Sequence, residues 1–209
     1  MKWEKFIEEV REYPVIDVGT LLSKDKSIRV QISRWEKMGR LIQAKRGIYV
    51  LSEPFRKIEV YEPYLASILK RPSYISLEKA LEYHNIIPEG VPVFSLITTK
   101  RPAKFTSKLG VFDYHHIISS LFWGYFSVTV NKQTGFIAYP EKALLDLLYL
   151  KNINVSFEFL EELRLQNVEK LSIERLLEYA TRFNKRGIAS AGKVIGEYIK
   201  NYTETDKIL

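Results

Sequence analysis

The chain has no cysteine, only three histidines, and no apolar run approaching the length of a membrane-spanning helix. Without cysteine there are no disulfides and no thiolate metal sites, which fits a reducing compartment. The opening segment MKWEKFIEEVREY is charged and amphipathic and lacks the apolar centre of a signal peptide, so a cytoplasmic location and no membrane partner are expected. No glycine-rich phosphate loop occurs, and Gly192-Lys-Val-Ile-Gly196 reads only as a packing motif. His115 and His116 are adjacent and would face opposite sides of a strand, while His84 has no partner at a helical ligand spacing. All three are expected to be structural, with no metal. Acids are scarce in the β-rich middle, where Asp113 stands alone between Val91 and Ala138. Glu141 and Asp146 lie on a helix about 140° apart, so they do not make the carboxylate cluster of a metal-dependent nuclease. Catalytic residues and cofactors are therefore not expected, and the chain does not read as an enzyme.

Positive charge, by contrast, is plentiful. The 209 residues carry a net charge of +7 and a pI near 9.3, which favours an acidic partner. A hydrophobic content of 46% is enough to build a core, so wholesale disorder is excluded. The charge is unevenly placed. Between Lys24 and Arg46 there are eight Lys/Arg against Asp25 and Glu36, a local excess of +6.

That same stretch has a recognisable order of elements. A first helix is expected over Lys2 to Glu12, with Trp3, Phe6, Ile7 and Val10 on one face and Pro14 beyond its end. Asp17 should cap a short helix over Val18 to Leu22, and Ser23-Lys24-Asp25 should turn into a third helix from about Lys26 to Met38. Ile28, Ile32 and Trp35 form its core stripe. Gly39 stops it, and Leu41–Ala44 and Ile48–Leu51 read as strands joined at Lys45-Arg46-Gly47. Helix, turn, basic helix and hairpin is the order of a winged helix-turn-helix. In that arrangement one helix enters the major groove and the hairpin reaches the backbone. The residues expected at duplex DNA are Lys26, Ser27, Arg29, Val30, Ser33, Arg34 and Lys37 from the helix, and Lys45 and Arg46 from the hairpin. A candidate second basic patch comprises Lys100, Arg101, Lys104 and Lys108; it reads equally as a lysine-protected strand edge.

The expected fold class is α+β: an N-terminal winged helix-turn-helix over residues 1–55, then a mixed α/β domain over 62–209 that ends in helices. The prolines between Ser52 and Pro63 mark the boundary, and the first unit has enough apolar side chains to expect independent folding. A helix is predicted near Tyr64–Leu69, and another after Ser76, which should cap it, with Leu77, Ala80 and Leu81 buried. Val91–Ala138 carries five β-type segments. Pro140 opens an amphipathic helix, EKALLDLLYL, and helical patterns recur near Phe157–Leu165, Ile173–Phe183 and Ile188–Tyr198. The terminal TETDKIL is expected to fray.

Several of these blocks, in order, resemble the AbiEi family of antitoxins from AbiE-type (type IV) abortive-infection toxin–antitoxin systems: IRVQISRWEKMGRLIQAKRGIYVL, RPSYISLEKALEYHNIIPEGV, SLITTKRPAKF and AYPEKALLDLLYL. The most specific pieces are RGIY at 46–49, SYISLEKAL at 73–81 and PEKALLDLL at 140–148. The resemblance spans about Ile28 to Leu150. It implies a winged helix that represses its own promoter, in which Arg29, Arg34, Lys37, Lys45 and Arg46 face DNA. Because one winged helix makes few contacts, two copies are expected on paired half-sites. The resemblance also implies a C-terminal domain that counters a nucleotidyltransferase-like toxin, and no catalytic residues. The alternative is a stand-alone regulator whose C-terminal domain senses a ligand.

Overall fold

The structure is a computed structural model and describes residues 1–21, 28–88 and 90–205. It is a mixed α and β architecture with two sheets. The expected turn Ser23-Lys24-Asp25 and the start of the third helix at Lys26 and Ser27 lie outside the described residues.

The N-terminal part holds α1 (Trp3–Val10), β1 (Ile16–Asp17), α2 (Val18–Leu21), α3 (Ile28–Lys37), β2 (Leu41–Lys45) and β3 (Ile48–Leu51). Asp17 is placed as its sequence context predicts: Oδ1 accepts from the Gly19 amide at 2.9 Å and Oδ2 from the Thr20 hydroxyl at 3.2 Å. Gly39 and Gly47 adopt φ of +72° and +86°, which a side chain would strain, so glycine is needed where α3 ends and where the hairpin turns. The sheet order is β1-β3-β2, all antiparallel. Ile28, Ile32 and Trp35 of α3 are buried, and Trp35 lies 4.6 Å from Phe6 and 5.1 Å from Trp3 between ring centroids, as the helical spacing predicts. Phe55 returns to pack edge-on against Trp3.

The rest of the chain is built on a six-stranded sheet of order β6-β7-β5-β4-β9-β8. Its strands are β4 (Ser73–Ile75), β5 (Val93–Thr98), β6 (Ala103–Ser107), β7 (Gly110–His116), β8 (Tyr125–Val130) and β9 (Gln133–Ala138). The five β-type segments all form strands. A sixth, β4, was not among them; its three residues are too few to show a period, yet it sits in the middle of the sheet, buried. Two pairs, β4–β9 and β5–β7, are parallel.

Helices α4 (Glu62–Leu69), α5 (Leu77–Tyr83), α6 (Pro140–Lys151), α7 (Phe157–Glu162), α8 (Ile173–Arg182) and α9 (Arg186–Thr205) complete the body. Helix α4 lies so close to β9 that a Cβ on Gly135 would come within 2.5 Å of Pro63. Gly192 plays the same part in the GKVIG motif, where a Cβ would meet Ala180 of α8 at 2.6 Å. Helix α9 continues through Thr203, whose hydroxyl donates to the Ile199 and Lys200 carbonyls, so the first part of TETDKIL is helical rather than frayed.

Two further expectations are corrected. The helix at EKALLDLLYL is not amphipathic: every residue from Pro140 to Leu148 is buried, because α6 runs through the middle of the body against α5, α8, α9 and β9. Its polar residues are satisfied internally. Glu141 accepts from the Ser172 amide at 2.7 Å and from Arg175, whereas Asp146 accepts from Tyr74 at 3.0 Å, Ser76 at 2.8 Å and Lys142. Ser76, expected to cap α5, spends its hydroxyl on Asp146 instead, and makes no cap bond. The segment between Ser52 and Pro63 is held to the six-stranded sheet. Buried Gln133 accepts from the Tyr61 amide at 3.0 Å and donates to the Glu59 carbonyl at 2.7 Å, clamping the segment to β9.

Lys142 is fully buried, bound to Asp146 and Tyr74 and enclosed by the rings of Trp123 and Phe183. Burial pushes its ammonium down and the Asp146 carboxyl up, and their mutual attraction opposes both shifts. Such a pair is costly to break singly. Lys142→Met should cost about 3–5 kcal/mol in urea denaturation. The double variant Lys142→Met/Asp146→Leu should cost less than the sum of the single changes by at least about 1 kcal/mol. Additive losses would show that the two groups are not coupled.

Candidate nucleic-acid interface

At 100° per residue, Arg29, Val30, Ser33, Arg34 and Lys37 occupy a sector of about 140° on α3, opposite the buried stripe. All five are exposed, Val30 at 58%. Arg29, Arg34 and Lys37 form no ion pair among the described residues. Their charge is directed at solvent rather than at the protein. Lys26 and Ser27, also expected on this face, fall outside the described residues.

Arg40 belongs to the same charge run but is used differently. Its guanidinium lies 5.0 Å over the Trp3 ring, and its carbonyl accepts from Ser52, so it closes the small core.

The two hairpin cations also differ. Arg46 is exposed at the tip. Lys45 is half-buried: its Nζ donates to the Leu69 carbonyl at 2.8 Å and sits 5.1 Å over the Phe105 ring. The cause is a bulge. Pairing of β2 with β3 shifts between Gln43 and Lys45, so that Lys45 rather than Ala44 stands opposite Ile48. An extra residue re-aims the side chains beside it, and here it turns Lys45 towards the six-stranded sheet. A hairpin tip read from sequence carries two equivalent cations; this one carries one free and one committed.

Between α3 and the hairpin lies a groove of about 550 Å³, lined by Arg29, Arg46, Lys45 and the Asp17–Gly19 turn. A second groove of about 570 Å³ shares Asp17 and Lys45 with it and adds Lys70, Arg71 and Lys100. Asp17 is the acid on either wall, and its oxygens already face Gly19 and Thr20. The cationic surface of α3 therefore runs on into the body.

The second basic patch is split by the same geometry. Lys100 faces the groove beside Lys45, and Arg101, Lys104 and Lys108 are exposed. Lys104 on the edge strand β6 stands opposite Asp113 of β7, 3.9 Å away. No acid is visible near Lys104 in sequence, because its neighbour comes across the ladder. Part of this patch thus joins the cationic surface, and part is a partly balanced strand edge.

His84 is half-buried with Nε2 facing the Ala138 carbonyl at 2.8 Å, so that nitrogen donates, and burial holds the imidazole below its usual pKa. Among the described residues no group of three or more His, Cys, Asp and Glu could hold a metal ion, and no helix is long and apolar enough to cross a membrane. Glu141 and Asp146 face different partners, as their spacing requires. No protein-family model matches the chain, and no curated protein matches it.

Lys45 and Arg46, adjacent in sequence, should separate in a stability assay. Lys45→Ala removes a charged hydrogen bond and a cation over a ring, and should cost about 1–2 kcal/mol in chemical denaturation. Arg46→Ala should stay within about 0.5 kcal/mol of the parent. Equal losses would mean that the bulge does not commit Lys45.

Proposed function

We propose that the chain is a winged helix-turn-helix DNA-binding protein that represses its own promoter. By its resemblance to AbiEi antitoxins, it also counters a nucleotidyltransferase-like toxin. One observation carries the DNA-binding part: α3 presents Arg29, Arg34 and Lys37, without an ion pair among the described residues, on a single exposed face, with Arg46 of the hairpin across a groove from Arg29. A helix with that face fits the major groove, where Arg34 would meet a guanine edge and Val30 a thymine methyl. Arg46 would meet phosphate. Lys70, Arg71 and Lys100 extend the track for the backbone beyond the helix. Two copies on paired half-sites would give the affinity that a single small module lacks.

The antitoxin role is supported by the SYISLEKAL and PEKALLDLL blocks, which in this fold are core. No catalytic role is proposed. The alternative, a stand-alone regulator with a ligand-sensing body, is favoured by a separate depression lined by Phe122, Tyr125 and Phe136.

Mobility shifts with the chain's own upstream DNA should show affinity falling with salt, with a log–log slope of roughly −4 to −5 for about five phosphate contacts. Arg34→Ala should cost about 1–3 kcal/mol on that DNA and relax its specificity. Arg46→Ala should weaken specific and non-specific duplexes alike. A salt-independent response, or identical behaviour of the two variants, would overturn the assignment of faces. For the antitoxin role, co-expression with a neighbouring nucleotidyltransferase-like toxin should restore colony growth, and Arg34→Ala should protect as well as the parent. Loss of protection with Arg34 would tie it to repression alone.

A further inference from the structure

Beside the cationic track lies a third depression, of about 420 Å³, between α4, the start of β4 and the β8–β9 hairpin. Its size is that of a small-molecule site. Its walls combine two chemistries. Phe122, Tyr125 and Phe136 supply aromatic surface, and Arg71 and Lys132 supply charge. No acid lines it, and neither cation forms an ion pair among the described residues.

The aromatic wall is held from beneath. Tyr125 stacks on buried Tyr74 at 4.6 Å with an interplanar angle of 18°, and Phe122 packs at 5.1 Å from the same ring. Tyr74 is fixed in turn by Asp146 and Lys142. The rings are therefore a preformed surface with little freedom left to lose on binding.

Arg71 also lines the neighbouring groove that holds Lys70 and Lys100. The rings form a corner rather than a plane, Phe122 inclined by 61° and Phe136 by 84° to Tyr125; a planar ring stacked on one of them and met edge-on by another would have its anionic substituent beside Arg71, with more cations further along. Stacking favours any nucleobase, and clustered Arg/Lys favours phosphate. The geometry points to a binding site for a nucleobase bearing phosphate, with the base on the aromatic wall and the phosphate between Arg71 and Lys132. The ligand is a free nucleotide or an unpaired nucleotide of a strand. This site is independent of the face of α3 and does not rest on duplex binding.

Calorimetry on the intact chain with ATP, AMP, adenosine, tripolyphosphate and an eight-base single strand tests this directly. ATP or the strand should bind at least tenfold more tightly than adenosine or tripolyphosphate, since each of the latter engages half the site. Tight ATP binding assigns the site to free nucleotides; binding of the strand with no ATP response assigns it to unpaired nucleotides. Arg71→Ala and Lys132→Asn should each weaken the tighter ligand at least fivefold. Asparagine is chosen because residue 132 has φ of +63°, which asparagine tolerates. Arg34→Ala should leave this binding unchanged, which separates it from duplex recognition. Tripolyphosphate binding as tightly as ATP would reduce the site to charge attraction and overturn the proposal, as would binding insensitive to Arg71 and Lys132, or no binding by any of these ligands.

Discussion

The β2–β3 hairpin has two faces, and each is buried in a different core. Leu41, Tyr49 and Leu51 lie in the small core with Phe6, Ile28 and Trp35. Ala44, Ile48 and Val50 belong with Val15 to the large core built on the six-stranded sheet. Alternation along β3 thus serves two hydrophobic interiors rather than one interior and solvent. The bulge adds Lys45 to the second face, where its bond to Leu69 and its contact with Phe105 pin the hairpin to α4 and β6. Because the hairpin is shared, the exposed face of α3 and the cations at Lys70, Arg71 and Lys100 keep fixed relative positions. A continuous charged surface depends on that.

The body is organised by buried polar side chains. Asp146, Lys142, Tyr74 and Ser76 form one satisfied network linking α6, β4 and the start of α5, while Glu141 ties α6 to the amide at the start of α8. Such groups contribute less to stability than apolar replacements of equal shape, yet each admits few alternative partners. They set the register of α6 against the sheet. The SYISLEKAL and PEKALLDLL blocks, the most specific parts of the sequence, meet in this network.

Much of this was legible beforehand, for identifiable reasons. Helical spacing of Ile28, Ile32 and Trp35 placed the small core, glycine placed the end of α3 and the hairpin turn, and aromatic and β-branched composition located five strands. These are local signals. What was missed depends on distant partners. Lys142 and Asp146 look like the polar face of a surface helix until Tyr74 and Ser76, some seventy residues away in sequence, are brought beside them. The same holds for Lys104 and Asp113 across a ladder, and for Ser76, whose position suited a cap but whose hydroxyl had a better acceptor. The bulge that turns Lys45 towards Leu69 and Phe105 leaves no periodic trace in the sequence. The aromatic depression draws Tyr64, Tyr125 and Phe136 from α4, β8 and β9 and Phe122 from the segment before β8, and has no sequence motif at all.

The sharing of the hairpin can be read from tryptophan. Trp3 and Trp35 lie in the small core and Trp123 in the large one. In a Trp123→Phe variant, fluorescence follows the small core alone, while far-ultraviolet circular dichroism follows the helices of the whole chain. If the hairpin joins the two interiors, both signals should change together across a urea titration, with one midpoint. A fluorescence transition completed at clearly lower urea, with the dichroism still native, would show that the N-terminal unit unfolds by itself and would contradict a surface held rigid by the hairpin.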